Sequence, residues 1–246
     1  MIRPSPDWLT ERPFAHRGLH APGAQRPENS LAAFRAAKAG GYGIELDIQL
    51  SGDGVPVVFH DDDLQRLAGR PERVADLKAA DLTAVPIAGG TERIPTLAVA
   101  LAEIGSETPL LIEIKADGPA YRGTAEAVAA LLRDDWPKAA VMSFHPGVAT
   151  WFAEAAPRRC RGQVAMEAGR YPEDFSGNRR EALMEMLRLR VGDPDFLAYD
   201  IRSLPAPLSD SYRRDGRTVL TWTVRSPQEH ARAGNAADNI VFEQTD

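Results

Sequence analysis

The chain has 246 residues, of which 43% are hydrophobic and 26% charged, and this composition is typical of globular proteins. Its 29 basic and 35 acidic residues give a net charge of −6, which argues against nucleic-acid binding because that requires a basic surface. The lone Cys160 excludes an internal disulfide framework. The sequence contains no apolar run of membrane-spanning length and no signal-peptide pattern. We therefore expect a cytoplasmic, single-domain protein comprising residues 1–246.

Short β-type runs alternate with helical patterns along the whole chain. Strands are predicted at residues 14–16, 43–50, 110–115, 140–144, 162–166, 196–200, 219–224 and 239–242. Helices are predicted between them, at residues 30–39, 96–104, 121–133, 146–155, 179–190, 207–214 and 227–232. Repeated strand–helix units predict a parallel sheet. The eight units and the length favour a TIM-type (β/α)8 barrel over an open doubly wound sheet.

The second strand departs from this alternation because a hairpin follows it. Ser51, Gly52, Asp53 and Gly54 are typical of a tight turn, and residues 55–59 then form a returning strand in which Pro56 suits an edge position. Residues 61–94 follow as an inserted segment with at most a short helix near residues 74–81. Insertions of this length are usually functional lids or disordered segments.

Acidic residues alternate with apolar residues in the second strand. Glu45, Asp47 and Gln49 share one face, whereas Ile44, Leu46, Ile48 and Leu50 share the other. In a barrel the apolar face packs against the outer helices, so the polar face points inward. Glu45 and Asp47 lie about 6.6 Å apart along the strand, so their carboxylates could converge on one ion.

The next barrel strand repeats this pattern, with Glu113 and Lys115 on one face and Ile112 and Ile114 on the other. Carboxylates without a cysteine or histidine cluster favour Mg²⁺ or Ca²⁺ over zinc. The alternative is an antiparallel strand whose polar face is solvent-exposed. Both faces of a strand are covered in a parallel α/β sheet, and this favours the cation site.

Two histidines stand where strands end. His16 and Arg17 follow the first strand, at the end of a barrel where active sites lie, and His60 and Asp61 follow the hairpin. Histidines can transfer protons near neutral pH, and cations such as Arg17 and Lys115 can bind an anion. Together with a divalent ion, these groups predict cleavage of a phosphate ester.

Seven short motifs in this order resemble the glycerophosphodiester phosphodiesterase family. They are His16-Arg17-Gly18, Pro27-Glu28-Asn29-Ser30, Glu45-Leu46-Asp47, residues 53–61, Ile94-Pro95-Thr96-Leu97, Glu113-Ile114-Lys115 and Trp222-Thr223-Val224. Each motif is weak alone, but their order across residues 14–224 is specific. The resemblance implies a TIM-type barrel that uses a divalent cation to hydrolyse glycerophosphodiesters, small-molecule substrates, to glycerol 3-phosphate and an alcohol.

The resemblance also implies a role for each matched residue. His16 and His60 would be the general acid–base pair, and three carboxylates would bind the metal: Glu45, Asp47 and Glu113. Arg17 and Lys115 would hold the phosphate, and Trp222 would line the glycerol side. Glu28 and Asn29 would support the site. The insertion at residues 61–94 would cap the barrel mouth and contribute to substrate choice.

Two features depart from the family pattern. Arg225 stands where the family commonly has asparagine, and the ending 240–246 lacks the usual Thr-Asp-x-Pro sequence. Both lie at the predicted mouth, so we expect them to affect head-group contacts rather than the chemistry. Arg225 would either meet a second anionic group or lie on the surface.

Two further functions fit the same residues. One is a different phosphodiesterase on the same scaffold, such as a lysophospholipase D or a metal-free phospholipase that forms a cyclic phosphate. The second is a non-catalytic barrel that binds a phosphate ligand, although binding alone does not require two histidines. The sequence leaves open the alcohol, the ion, the nucleophile and the oligomeric state.

Overall fold

The computed structural model describes residues 5–21, 26–115, 120–132, 136–171 and 177–244, without the side chains of residues 177–179. In this part of the chain, eight parallel strands form a barrel: β1 (Phe14–Ala15), β2 (Gly43–Leu50), β4 (Leu110–Ile114), β5 (Ala139–Ser143), β6 (Cys160–Ala165), β7 (Phe196–Asp200), β8 (Thr218–Val224) and β9 (Asn239–Phe242). The barrel is closed because β1 pairs with both β2 and β9. The predicted (β/α)8 barrel is confirmed.

Helices surround the barrel and follow the predicted bounds closely. They are α2 (Leu31–Ala39), α5 (Leu97–Ile104), α6 (Tyr121–Leu131), α7 (Pro146–Ala155), α8 (Gly177–Arg188), α9 (Pro207–Arg214) and α10 (Pro227–Ala236). Helix α10 continues past Gly234, beyond its predicted end at residue 232. The predicted end of α6 at Arg133 lies outside the described residues. A short helix that the sequence pattern does not predict, α1 (Trp8–Glu11), precedes β1.

The alternation in β2 places its two faces as predicted. Ile44, Leu46 and Ile48 are fully buried in the layer between the strands and the outer helices. A separate cluster fills the barrel interior, and there Phe196 packs where Gly162 leaves space that a Cβ would occupy. The barrel is therefore a packed core rather than a pore.

The hairpin is present, with β3 (Pro56–Val58) antiparallel to β2 and Pro56 opposite Leu50. The insertion after it is more structured than predicted. It contains α3 (Gln65–Ala68), a 3₁₀ turn (Val74–Asp76) and α4 (Ala79–Leu82). Its apolar residues form their own small core with the hairpin: Val57, Phe59, Leu64, Val74, Ala79, Leu82, Val85, Ile87 and Ile94. The described residues contain no helix with the length and apolarity needed to cross a membrane.

Candidate active site

Three carboxylates meet where the carboxyl ends of β2 and β4 lie side by side. Asp47 pairs with Glu113 across the two strands, and Glu45 is two residues earlier on the same face of β2. One oxygen from each carboxylate lies within 4.8 Å of the other two. Glu45 and Asp47 are each only 1% exposed. The strand register therefore places the three side chains at one point, as the sequence predicts.

This acidic cluster has the properties of a cation site. Burial raises the pKa of Glu45 well above its usual value, and the charges of Asp47 and Glu113 raise it further. The Oε1 atom of Glu45 is buried and has no hydrogen-bond partner among the described residues. A buried carboxylate is costly unless it is paired or binds a metal. Three hard oxygen donors with one unsatisfied atom fit a bound divalent cation such as Mg²⁺ or Ca²⁺.

Two cationic side chains lie against the cluster. Lys115 Nζ is 2.8 Å from Glu113 Oε1 and 3.5 Å from Asp47 Oδ1, and Arg17 Nε is 3.3 Å from Asp47 Oδ2. Burial opposes ionisation of Asp47, but Lys115 and Arg17 hold its pKa far below its usual value. The predicted phosphate-binding residues therefore lie together at the edge of the candidate cation site.

The loop after β1 fixes Arg17 and the cluster together. The backbone N–H of Arg17 donates to Glu45 Oε2 at 2.9 Å, and its guanidinium donates to Glu28 at 2.6 Å. Asn29 donates to Asp47 Oδ2 at 2.9 Å. Arg17 and Asn29 both adopt left-handed backbone conformations, with φ of 55° and 56°. Such conformations are found preferentially at functional sites, and here they direct both side chains toward the cluster.

His60 lies near the cluster and contacts its neighbour Asp61. His60 Nδ1 is 2.7 Å from Asp61 Oδ1, and Arg66 binds both oxygens of Asp61, at 2.6 and 3.0 Å. Arg66 also donates to both oxygens of Glu28. The inserted segment is thus tied through Arg66 to the residues that hold Arg17.

His16 also lies near the cluster and contacts Glu243, which follows the last barrel strand. Its Nδ1 is 2.6 Å from Glu243 Oε1, and its Nε2 is 4.0 Å from Glu45 Oε2. Glu243 in turn accepts two hydrogen bonds from Arg225, at 2.7 and 2.8 Å. Arg225 and Glu243, which lie at the two departures noted in the sequence, therefore contact each other, and Glu243 contacts His16.

The three carboxylates, the two histidines, Arg17 and Lys115 line one cavity of about 260 Å³ at the carboxyl ends of the strands. Its far wall contains Trp222, whose indole N–H donates to the Ala198 carbonyl at 3.0 Å and whose ring meets Phe144 edge to face. Asp200 and Arg202 lie on the same wall and form an ion pair. Gln49, on the same face of β2 as the carboxylates, does not line this cavity, and its side-chain amide donates to the Phe59 and Asp61 carbonyls and so holds the hairpin.

All ten predicted site residues lie in this cavity or bind a residue that lines it. The sequence patterns do not predict the roles of Arg66 and Glu243. Arg66 lies in an insertion whose fold the apolar pattern does not reveal. Glu243 lies 227 residues from the histidine that it contacts. The only sequence signal for Glu243 is its position at the carboxyl end of the last barrel strand.

Comparisons with known proteins identify the family of the chain. A model described as the glycerophosphoryl diester phosphodiesterase family matches residues 16–239. Glycerophosphodiester phosphodiesterase 1 of Bos taurus is 36% identical over 121 residues, which are 45% of this chain and 35% of that protein. The glycerophosphodiester phosphodiesterase of Bacillus altitudinis is 31% identical over 175 residues, 66% of this chain and 69% of that protein.

A solved structure also resembles the whole barrel. It is an Oleispira antarctica phosphodiesterase in complex with the product sn-glycerol-3-phosphate, with a TM-score of 0.76, 25% identity and coverage of 96% of this chain and 93% of that one. The match with the bovine relative spans about a third of that protein's length. Since the family model covers most of the chain, the protein belongs to the glycerophosphoryl diester phosphodiesterase family.

Proposed function

We propose that the protein hydrolyses glycerophosphodiesters to glycerol 3-phosphate and an alcohol in this cavity. One observation carries the proposal: three buried carboxylates share one cavity with two histidines, and two cationic side chains lie against them. The family membership supports it, as does the similar Oleispira antarctica phosphodiesterase with its bound product. Binding of a phosphate ligand alone would not require the two histidines.

Glu45, Asp47 and Glu113 would hold one divalent cation, Mg²⁺ or Ca²⁺. When bound, this ion would supply Lewis-acid polarisation of a phosphoryl oxygen. Arg17 and Lys115 would orient the phosphodiester and stabilise the charge that develops on its oxygens in the transition state. Glu28 and Asn29 would keep this arrangement rigid, because one binds Arg17 and the other binds Asp47.

His16 and His60 would move the protons. An ionised carboxylate can only accept hydrogen bonds, so Glu243 and Asp61 each select the ring form with hydrogen on Nδ1. In the neutral ring, Nε2 is then free to take a proton from the nucleophile, and in the protonated ring it can give one to the leaving oxygen. A pair of histidines on opposite sides of the phosphate could perform both tasks in one turnover.

The remaining walls would set the substrate. Trp222 would line the glycerol side of the cavity. The segment 61–94 would influence substrate choice within a single catalytic domain, since Arg66 connects it to Glu28, which binds Arg17. A cytoplasmic location stays a prediction from the sequence.

The direct test is an assay of glycerol 3-phosphate release from glycerophosphocholine and related diesters, in EDTA and after addition of Mg²⁺ or Ca²⁺. We expect no turnover in EDTA, recovery with a divalent cation, and loss of most activity in Glu45→Ala. Full activity in excess chelator would contradict the cation assignment. Tight diester binding without turnover under every metal tested would support a non-catalytic barrel instead.

Substrate preference and product identity distinguish hydrolysis of glycerophosphodiesters from related phosphodiesterase reactions. Preferential cleavage of lysophospholipids would assign a lysophospholipase D. A cyclic phosphate product would show that a substrate hydroxyl, rather than water, attacks the phosphorus.

A further inference from the structure

Two features that depart from the family pattern meet in this structure. Glu243 follows the last barrel strand, and Arg225 follows the strand before it. Their side chains form a two-point ion pair, and the same Glu243 oxygen that accepts from Arg225 at 2.8 Å lies 2.6 Å from His16 Nδ1. Arg225, Glu243 and His16 thus form a continuous chain of contacts from the rim of the cavity to the acidic cluster.

We propose that Glu243 is the positioning residue for His16, and that Arg225 fixes Glu243 instead of binding the substrate's head group. The proposal rests on the proposed function for its kinetic consequences. The part of the proposal that concerns the orientation and ring form of His16 does not depend on that function.

The contacts of the second histidine, His60, can be compared with those of His16. His60 Nδ1 is 2.7 Å from Asp61, and Arg66 binds Asp61 through Nε at 2.6 Å and NH2 at 3.0 Å. Arg225 binds Glu243 through the same two nitrogens, at 2.7 and 2.8 Å. Each histidine is therefore oriented by one carboxylate, and an arginine holds that carboxylate by two hydrogen bonds. The two arrangements come from different parts of the chain, and both histidines line the same cavity.

The charges around Glu243 agree with its role as the positioning residue for His16. Burial alone would raise its pKa, but hydrogen bonds from His16 and Arg225 hold the pKa of Glu243 well below its usual value. Glu243 is therefore an acceptor for both neighbours. His20 Nε2 lies 3.9 Å from the same oxygen, beyond hydrogen-bond distance, so it does not replace His16 as the partner.

The geometry also limits what Arg225 can do. Two of its guanidinium nitrogens are used on Glu243, and its backbone N–H donates to Glu229 at 2.7 Å. An anionic head group would have to compete with a two-point carboxylate pair, which is among the strongest side-chain interactions. The ion pair thus explains Arg225 without a ligand.

The ring form of His16 can be measured without any substrate. We suggest ¹H–¹⁵N correlation NMR of the histidine rings, recorded where the ring ¹⁵N shifts no longer change with rising pH, with His16→Ala for assignment. The wild-type protein should show hydrogen on Nδ1 of His16, and Glu243→Gln should lose this preference. Hydrogen on Nε2 of His16 in the wild-type protein would overturn the proposal whether or not the protein turns over a diester.

Steady-state kinetics test the effect of this positioning on turnover. General acid–base catalysis contributes about 10²- to 10⁴-fold, so losing the orientation of one histidine should lower kcat roughly 10- to 100-fold in Glu243→Gln with KM little changed. Glu243→Asp keeps the charge and should recover part of the loss. Arg225→Ala should lower kcat less, and it should cause no further loss when added to Glu243→Gln.

Arg188→Ala is the matched control, because Arg188 forms a similar two-point pair with Glu185 on α8 and does not line the cavity. It should leave kcat unchanged. A rise in KM for Arg225→Ala that persists in the Glu243→Gln background would show that Arg225 binds the head group, and would overturn that part of the proposal. If the wild-type protein turns over no diester, the proposed function fails. The NMR result still decides whether His16 has the ring form that Glu243 selects.

Discussion

Replacing Glu45 with glutamine should stabilise the chelated protein while removing its response to divalent cations. Glu45 is 1% exposed, and burial together with the charges of Asp47 and Glu113 raises its pKa, so its ionised form is disfavoured. Glutamine keeps an oxygen for the Arg17 N–H, which donates at 2.9 Å, and it adds an amide that can donate to a neighbouring carboxylate.

The expected gain follows from the unsatisfied Oε1 atom. A buried polar group without a partner costs about 1–3 kcal/mol, so the free energy of unfolding of Glu45→Gln should rise by roughly 2 kcal/mol in EDTA. For a chain of this length, this corresponds to an increase in Tm of about 4–8 °C. In contrast, a cation at 100 times its Kd should stabilise only the wild-type protein, by about 2.7 kcal/mol.

The assay is calorimetric unfolding of both proteins in EDTA and in Mg²⁺ or Ca²⁺. Asp200→Asn is the matched control, because Asp200 is equally buried at the end of a barrel strand but is paired with Arg202. It should lower the free energy of unfolding by about 1 kcal/mol, since it weakens a charge-assisted pair. A Glu45→Gln protein that is less stable than wild type in EDTA, or that keeps the cation response, would refute the reasoning.

Three further predictions concern the residues around the cluster. His60→Ala should lose turnover in the diester assay but keep the increase in Tm with a cation, because His60 is not part of the acidic cluster. Leu82→Ala should cost about 2–5 kcal/mol and increase hydrogen exchange within residues 61–94, since Leu82 is fully buried in the core of the insertion. Although burial opposes ionisation, Arg66 holds the pKa of Glu28 and Asp61 below their usual values, so this stabilisation is present above their ordinary pKa and is lost as the pH falls. The difference in Tm between wild type and Arg66→Ala should therefore be largest above about pH 5 and should close below about pH 3, and a constant difference across that range would contradict it.

Periodicity predicts much of this protein. The barrel follows from eight strand–helix units, and the acidic cluster follows from alternation in two neighbouring strands, because inward-facing positions at the carboxyl ends of parallel strands meet. The convergence of Glu45, Asp47 and Glu113 can therefore be predicted from the sequence before the fold is known. The ends of helices are harder to predict from the sequence, since α10 continues through Gly234 in its last turn.

The residues that orient the histidines depend on contacts distant in the sequence. Arg66 binds Glu28, which lies 38 residues earlier, and it does so only because the insertion packs around its own apolar core. Glu243 reaches His16 only because β9 closes the barrel against β1. Neither contact has a local periodic signal, and an arginine or glutamate outside a predicted core is usually a solvated surface residue.

The most direct measurement is a crystal structure determined with Ca²⁺ and glycerol 3-phosphate bound. We expect one ion with oxygens of Glu45, Asp47 and Glu113 at about 2.3–2.6 Å. The phosphate should lie against Arg17 and Lys115, between the two histidines. An ion bound elsewhere while these carboxylates contact only Arg17 and Lys115, or a phosphate outside this cavity, would contradict the proposed site.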